Sequence, residues 1–273
     1  MTMTKLLFCD IDGTLVRPDG TISDRVRSLL IQTADAGHGF ILTSGRPLSS
    51  ILKVRDYIDI AFPHSYIIAN NGGLIYDCNA GKPIYEATLS FSLIDRLQAM
   101  AEEMQIHIQT YTKDSIVCRR DTEEVRAYAS RIKMPVVLSD CLSAQLTDQP
   151  YKMLALSLDG SETLMPLKHR IEQEIGDTLQ AMFSQNGYLE ILPKEASKGN
   201  ALRFLCEHLS VPVSASYAAG DSENDIAMLE AAGISWAMQN GDKKVKSSAA
   251  FITALDHEHD GIAEVLENIL SSS

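Results

Sequence analysis

Short apolar runs alternate with helical patterns in the N-terminal part of the chain. Residues 5–10 form an apolar run that ends at Asp10, which is the pattern of a strand buried on both faces of a parallel sheet. A helical stripe with Ser23 as its predicted N-cap follows this run. Two more buried strands are predicted at 40–42 and 66–69, with a second helix between them. This order of elements predicts a doubly wound parallel sheet.

The pattern changes after the third predicted strand. Asn79-Ala80-Gly81 separates two short strand patterns, 74–77 and 83–86, which indicates a hairpin rather than a crossover. Beyond it, helices are predicted from Ser92, near Val125 and near Leu167, and strands near Ile106, near Ile116 and at 153–158, 180–183 and 188–192. The alternation of strand and helix resumes at Lys198. We therefore predict an α/β protein with a discontinuous, Rossmann-like doubly wound core, residues 1–82 and 193–273, and an inserted α+β cap, residues 83–192.

Composition narrows the classes of protein to consider. The hydrophobic fraction of 45% over 273 residues is that of a core-forming globular protein. The formal charge of −12 disfavours nucleic acid and anionic membranes as partners, so we expect small-molecule ligands. Five cysteines without metal-ligand spacing predict a reduced, cytoplasmic protein, and the N-terminus has no signal peptide pattern. No heptad seam or long apolar stripe predicts an interface, so a monomer is the default expectation.

Two aspartates stand one residue apart at the end of the first predicted strand. Asp10 and Asp12 would repel each other unless a cation offsets their charge, and hard Mg²⁺ prefers oxygen ligands. Asp10 could offer a carboxylate oxygen to the metal, and Asp12 its main-chain carbonyl oxygen. An isolated pair of this kind is more often a solvated acidic turn. The following residues, Gly13-Thr14-Leu15, favour the functional interpretation.

Four motifs in order resemble those of the haloacid dehalogenase superfamily. Residues 10–15 are similar to its first motif, DxDGT[LV], and residues 42–47, 197–202 and 220–225 are similar to the second, third and fourth. Four further segments, 69–72, 200–202, 237–240 and 260–262, resemble the Cof-type subfamily. That subfamily carries a type IIB α+β cap between the second and third motifs, which is where the insert lies here.

The resemblance implies a role for each motif residue. Asp10 is expected to be the nucleophile and Asp12 the general acid and base, and both, together with Asp221, are expected to bind Mg²⁺. The phosphate group is expected to contact Ser44, the Gly45 N–H, Lys198 and Asn224. Asp225 is expected to orient a metal-bound water or Lys198. The position of Asn71 at a core strand tip makes it a candidate for substrate contact.

The reaction implied is hydrolysis of a phosphomonoester through an aspartyl-phosphate. Sugar phosphates are the first choice of substrate, and pyridoxal phosphate or a flavin-related phosphate are alternatives. A phosphotransferase or phosphomutase using the same intermediate is the closest rival, and phosphate release would separate the two. A dehalogenase would not need the metal set, and a non-catalytic binding protein would be expected to lack one of Asp10, Asp12, Lys198 or Asp221.

Overall fold

The computed structural model describes residues 3–271, which fall into two compact units. Residues 3–86 and 196–271 form the first unit, and Ala87–Glu195 form the second. The strands are β1 (Leu6–Asp10), β2 (Gly39–Thr43), β3 (Ser65–Ala69), β4 (Leu74–Asp77), β5 (Lys82–Glu86), β6 (His107–Tyr111), β7 (Ile116–Cys118), β8 (Val136–Leu138), β9 (Met153–Leu156), β10 (Leu179–Gln185), β11 (Tyr188–Pro193), β12 (Ser216–Gly220), β13 (Ile234–Ala237) and β14 (Phe251–Ile252). The helices are α1 (Asp24–Asp35), α2 (Leu48–Ile58), α3 (Phe91–Glu103), α4 (Glu123–Ile132), α5 (Met165–Ile175), α6 (Lys198–His208), α7 (Ile226–Ala231), α8 (Lys243–Ser247) and α9 (Gly261–Ser271).

An eight-stranded sheet in the order β14-β13-β12-β1-β2-β3-β4-β5 forms the first unit. The strands from β14 to β3 run parallel, and β4 and β5 add an antiparallel hairpin at one edge. Every residue of β1 and β2 is buried because the sheet is covered on both faces. The prediction of an α/β fold with a doubly wound core is confirmed. The carboxyl ends of β12, β1 and β2 lie side by side, which is where such folds place their ligand sites.

Local capping explains where two core helices begin. Ser23 accepts a hydrogen bond from the Val26 N–H and caps α1, as its position in the sequence predicted. Ser197 caps α6 in the same way, accepting from the Asn200 N–H at 3.0 Å. This cap starts α6 at Lys198, so the lysine lies in the first turn of a helix that packs against α7 and the sheet.

The second unit is an α+β layer built on a six-stranded sheet, in the order β10-β11-β9-β6-β7-β8. Its strands pair antiparallel except for β7 and β8, which are parallel. Helices α3 and α5 pack on this sheet around a shared apolar core, and α4 packs on a smaller cluster with β7. The predicted start of the cap at 83 lies inside β5, which pairs with β4 in the first unit. Main-chain pairing therefore places residues 83–86 with the core, and the second unit begins at Ala87.

Two short strands and a helix are among the elements that were not predicted from the sequence pattern. Strands β8 and β14 have three and two residues, too few to show a period, and they exist through pairing with β7 and β13. Helix α9 carries apolar residues at helical spacing, with Ile262, Leu266 and Ile269 buried, and this signal was available in the sequence. Within residues 3–271, no helix combines the length and apolarity needed to cross a membrane.

Candidate active site

Three strand ends gather the predicted site residues at one edge of the core sheet. Asp10, the last residue of β1, lies opposite Thr43 of β2 in the parallel register. Ser44 follows Thr43 directly, and Asp221 follows the end of β12, which pairs with β1 on its other side. Parallel strands end at the same edge, so motifs far apart in sequence become neighbours.

A buried lysine joins two of the aspartates. The Nζ atom of Lys198 donates to Asp10 Oδ1 at 2.5 Å and to Asp225 Oδ1 at 2.6 Å. The side chains of Lys198 and Asp225 are fully buried, and Asp10 is 4% exposed. A buried ammonium group needs paired anions to offset its lost hydration, and the two carboxylates supply them.

The charge states follow from this arrangement. Burial alone lowers the pKa of the Lys198 ammonium, but attraction to Asp10 and Asp225 outweighs burial, and the pKa is raised. Lys198 is therefore a permanent cation. Burial and the nearby Asp225 carboxylate raise the pKa of Asp10 well above its usual range, although Lys198 opposes this shift. Without a further cation, the ionised form of Asp10 is therefore energetically unfavourable in this buried position.

Asp221 completes a group of three carboxylates. Asp10, Asp221 and Asp225 each offer an oxygen within 4.8 Å of the others. Thr14 Oγ1 donates to Asp221 Oδ1 at 3.1 Å. Burial, followed by repulsion from Asp225, raises the pKa of Asp221 to about 7. One lysine cannot neutralise three carboxylates, and this excess of negative charge would be relieved by a divalent cation.

The two oxygens of Asp225 are already engaged, which separates its role from that of Asp221. Its Oδ1 atom accepts from Lys198, and its Oδ2 atom accepts from the N–H groups of Asp221 and Ser222 at 3.0 and 3.1 Å. Asp225 thus fixes the lysine and the loop that carries Asp221. The carboxylates of Asp10 and Asp221 remain as oxygen donors for a metal, and oxygen donors suit Mg²⁺.

The side chain of Asp12 lies apart from the carboxylate group. It is 59% exposed and forms a two-point ion pair with Arg46, in which Nε donates to Oδ2 at 2.7 Å and Nη2 donates to Oδ1. Strand β1 ends at Asp10, so Asp12 lies in the turn beyond it and is not held to the face on which Asp10 points inward. The two aspartates of the first motif therefore have different surroundings. Asp10 is buried beside Lys198, and Asp12 faces solvent beside Arg46.

Polar residues from three segments form a connected group beyond β2 and β3. Ser44 is buried, and its Oγ atom accepts from the Arg46 N–H at 3.1 Å. The Asn71 N–H donates to the Ser44 carbonyl at 3.0 Å, and Asn224 Nδ2 donates to Asn71 Oδ1 at 2.9 Å. A Cβ atom at Gly45 would lie only 3.0 Å from Asn71 Oδ1. The structure thus brings Ser44, Gly45, Asn71 and Asn224 together.

Asn71 owes its position to an unusual main-chain conformation. Asn70 and Asn71 have φ values of 50° and 55° in the left-handed region, which asparagine tolerates better than most residues. The adjacent Gly72, at φ 99°, packs so closely that a Cβ atom would lie 2.3 Å from the Ser197 carbonyl oxygen. The Asn-Asn-Gly segment at the end of β3 therefore packs against the start of α6.

Three residues with contacts in this region were not identified as site residues from the sequence. They are Thr14, which donates to Asp221; Arg46, which pairs with Asp12; and Asn240, which donates to the Gly13 carbonyl oxygen at 2.8 Å. Thr14 and Arg46 lie inside the first and second motifs, so their position was a usable signal. Asn240 lies 227 residues from Gly13, and no local pattern pairs them.

Replacing Gly13 with alanine should damage the site more than the fold. Gly13 has a φ of 75°, and a Cβ atom there would lie 2.3 Å from Asp221 Oδ2. We expect Gly13→Ala to displace the Asp221 carboxylate, and so to weaken Mg²⁺ binding, measured by isothermal titration calorimetry. Gly20→Ala is the matched control, because Gly20 has a φ of 80° with nothing within 4 Å. Each substitution adds about 1–2 kcal/mol of main-chain strain. Equal Mg²⁺ affinity in the two variants would contradict this account.

Known proteins are similar to this chain over nearly its whole length. The sequence profile of the haloacid dehalogenase-like hydrolases matches residues 7–266. A haloacid dehalogenase-like hydrolase from Bacteroides thetaiotaomicron is similar in structure, with a TM-score of 0.83 at 28% identity over 97% of this chain and 99% of that one. The protein TM0651 from Thermotoga maritima gives a TM-score of 0.82 at 30% identity over 99% of both chains. The HMP-PP phosphatase of Yersinia pestis is 27% identical over 271 residues, which is 99% of this chain and 97% of its own length.

Proposed function

Because the chain belongs to the family of haloacid dehalogenase-like hydrolases, we propose that it is a Mg²⁺-dependent phosphatase of small phosphorylated metabolites. One observation carries the proposal: a buried lysine bonds the aspartate at the end of β1 and lies beside two more carboxylates. The relative named HMP-PP phosphatase supports the phosphatase class. Sugar phosphates are the proposed substrates, and the five cysteines, all free, suit a cytoplasmic enzyme.

The proposed nucleophile is Asp10. Lys198 binds its Oδ1 atom, so the carboxylate is fixed in orientation and Oδ2 is left to attack phosphorus. The new bond joins the Asp10 oxygen to phosphorus while the ester bond between phosphorus and the leaving oxygen breaks, giving an aspartyl-phosphate. Lys198 keeps its positive charge throughout, which lowers the repulsion between an anionic nucleophile and an anionic phosphate.

Asp12 is proposed as the general acid and base. It faces solvent and is not one of the carboxylates bound to Lys198, so its side chain is accessible to water. In the first step its carboxyl group would protonate the leaving oxygen. In the second step its carboxylate would take a proton from the water that hydrolyses the aspartyl-phosphate, and such groups contribute about 10²- to 10⁴-fold in rate.

Neutral donors are proposed to hold the phosphoryl oxygens. The Ser44 Oγ atom accepts from the Arg46 N–H and therefore has its own hydrogen to donate. The Gly45 N–H and the Asn224 amide lie in the same connected group, with Asn71 beside them as a contact for substrate. Fixed donors of this kind stabilise charge that develops on the transferring group without any reorganisation.

The proposed metal ligands are the carboxylates of Asp10 and Asp221 and the main-chain carbonyl of Asp12. When bound, Mg²⁺ would supply positive charge that offsets these carboxylates and the substrate phosphate. Asp225 is proposed to act indirectly, because both of its oxygens already accept hydrogen bonds. It would hold Lys198 and the Asp221 loop in place.

Removal of metal should abolish activity, and its return should restore it. We expect no phosphate release from a sugar phosphate after dialysis against EDTA, and full recovery on addition of Mg²⁺. Because burial raises the pKa of Asp221 to about 7, protons compete with the metal below that pH. The Mg²⁺ affinity should therefore weaken as the pH falls below 7, by about tenfold per unit for one displaced proton. Activity in EDTA, or an affinity that stays constant between pH 5.5 and pH 8, would count against the proposed site.

A substrate panel tests the proposed function directly. Sugar phosphates, pyridoxal phosphate and flavin mononucleotide should be assayed with Mg²⁺ for phosphate release and compared by kcat/KM. The proposal predicts the highest values for a sugar phosphate, with one phosphate released for each ester consumed. Consumption of ester without matching phosphate release would instead indicate transfer of the phosphoryl group to another hydroxyl.

A further inference from the structure

Asn240 uses both ends of its side-chain amide to join two loops beside the carboxylate group. Its Nδ2 atom donates to the Gly13 carbonyl oxygen at 2.8 Å, and its Oδ1 atom accepts from the His257 N–H at 3.1 Å. These loops follow β1 and β14, and Asn240 itself follows β13. A single side chain therefore fixes the relative position of three loops at the edge of the sheet that carries Asp10 and Asp221.

The loop held by Asn240 packs against the Asp221 carboxylate. Gly13 lies against Asp221 so closely that no Cβ atom would fit, and Thr14 donates to Asp221 Oδ1 at 3.1 Å. The Gly13 carbonyl belongs to the peptide bond between Gly13 and Thr14. Its orientation therefore governs where the Thr14 hydroxyl lies, and glycine at a positive φ does not by itself fix that orientation.

The turn that carries Asn240 is itself fixed to the opposite side of Asp221. The Met238 N–H donates to the Gly220 carbonyl at 2.9 Å, and the Gly241 N–H donates to the Met238 carbonyl at 2.9 Å. A Cβ atom at Gly241 would lie 3.0 Å from the main-chain oxygen of Asp221. Asn240 thus spans from the main chain beside Asp221 to the loop that faces the Asp221 carboxylate.

We propose that Asn240 is a positioning residue for the Asp221 carboxylate and, through Thr14, for the Mg²⁺ site. This inference rests on the proposed function, since it takes Asp221 as a metal ligand. Groups that orient metal ligands through hydrogen bonds typically contribute 10- to 100-fold in metal affinity. Asn240 acts one step further out, so the lower end of that range is expected.

Calorimetric titration of the metal-free protein with Mg²⁺ tests this role without any turnover. Asn240→Ala should bind Mg²⁺ about tenfold more weakly than wild type. Asn79→Ala is the matched control, because Asn79 also donates from its amide to a main-chain carbonyl, that of Pro63, but in the turn between β4 and β5. The control should bind Mg²⁺ like wild type, and thermal unfolding of both variants checks that they are folded.

A second variant separates the two hydrogen bonds of Asn240. Asn240→Asp keeps an acceptor for the His257 N–H but cannot donate to the Gly13 carbonyl, and its added negative charge would by itself attract a cation. Weaker Mg²⁺ binding in both variants supports the proposal. Unchanged binding in Asn240→Ala overturns it.

The same titration distinguishes failure of this inference from failure of the proposed function. If wild type itself does not bind Mg²⁺, the proposed metal site is wrong and this role of Asn240 falls with it. If wild type binds Mg²⁺ and Asn240→Ala binds it equally well, only the positioning role is wrong. At saturating Mg²⁺, the proposal further predicts that kcat of Asn240→Ala recovers toward wild type, because the reacting groups themselves are intact.

Discussion

Replacing Asp10 with asparagine is expected to abolish phosphate release while the protein remains folded. The amide has the shape of the carboxylate but lacks the anionic oxygen that attacks phosphorus, so turnover should fall by at least about 10⁴-fold. The fold should survive because Lys198 keeps its bond to Asp225, and because the substitution removes one of three crowded carboxylates. Steady-state phosphate release and thermal unfolding measure the two effects separately.

The control for this substitution is Asp35→Asn, which removes the same charge from an exposed position at the end of α1. It should keep wild-type turnover. Mass spectrometry of quenched reactions adds a direct reading, since wild type should carry one phosphoryl group on the peptide containing Asp10 and Asp10→Asn should carry none. Turnover in Asp10→Asn within about tenfold of wild type would contradict the assignment of Asp10 as the nucleophile.

Replacing Lys198 with methionine is expected to lower both stability and activity. Methionine fills a similar volume but leaves Asp10 and Asp225 buried without their cation. Removal of one partner from a buried ion pair typically lowers the free energy of unfolding by about 3–5 kcal/mol. Turnover should also be lost, because the repulsion between Asp10 and the phosphate is no longer offset. Urea unfolding of the metal-free protein at pH 7 and phosphate release with Mg²⁺ measure the two effects.

The loss of stability should depend on pH and on Asp225. Burial and nearby carboxylates raise the pKa of Asp10, and its protonation removes uncompensated charge, so the deficit of Lys198→Met should shrink as the pH falls. The double variant Lys198→Met with Asp225→Asn should recover part of the stability, because one unpaired charge is gone. Lys53→Met, at an exposed position on α2, is the control and should behave like wild type. A deficit that is independent of pH, with no recovery in the double variant, would show that charge pairing is not the cause.

The fold was predictable to the extent that its elements are long enough to show a pattern. Buried strands such as β1 and β2, and a capped helix such as α1, follow from local sequence alone. The edge strand β14 has two residues and exists because β13 offers it a partner. The hairpin of β4 and β5 was indicated by Asn79-Ala80-Gly81, but only the pairing of β4 with β3 places the whole hairpin in the first unit, so that the second unit begins at Ala87.

The candidate residues of the site were identified from the sequence because four ordered motifs resemble those of the haloacid dehalogenase superfamily. Asp10, Ser44, Lys198 and Asp221 could be named in this way before their distances were known. Their partners were left open, since Asp225 was expected to orient either a metal-bound water or Lys198, because the choice depends on strand order and on side-chain direction. Only the tertiary structure decided that Lys198 binds both Asp10 and Asp225, and that Asp12 turns outward to Arg46. It also decided that Asn240 holds Gly13 from 227 residues away, because the sheet places β13 and β1 within reach at one edge.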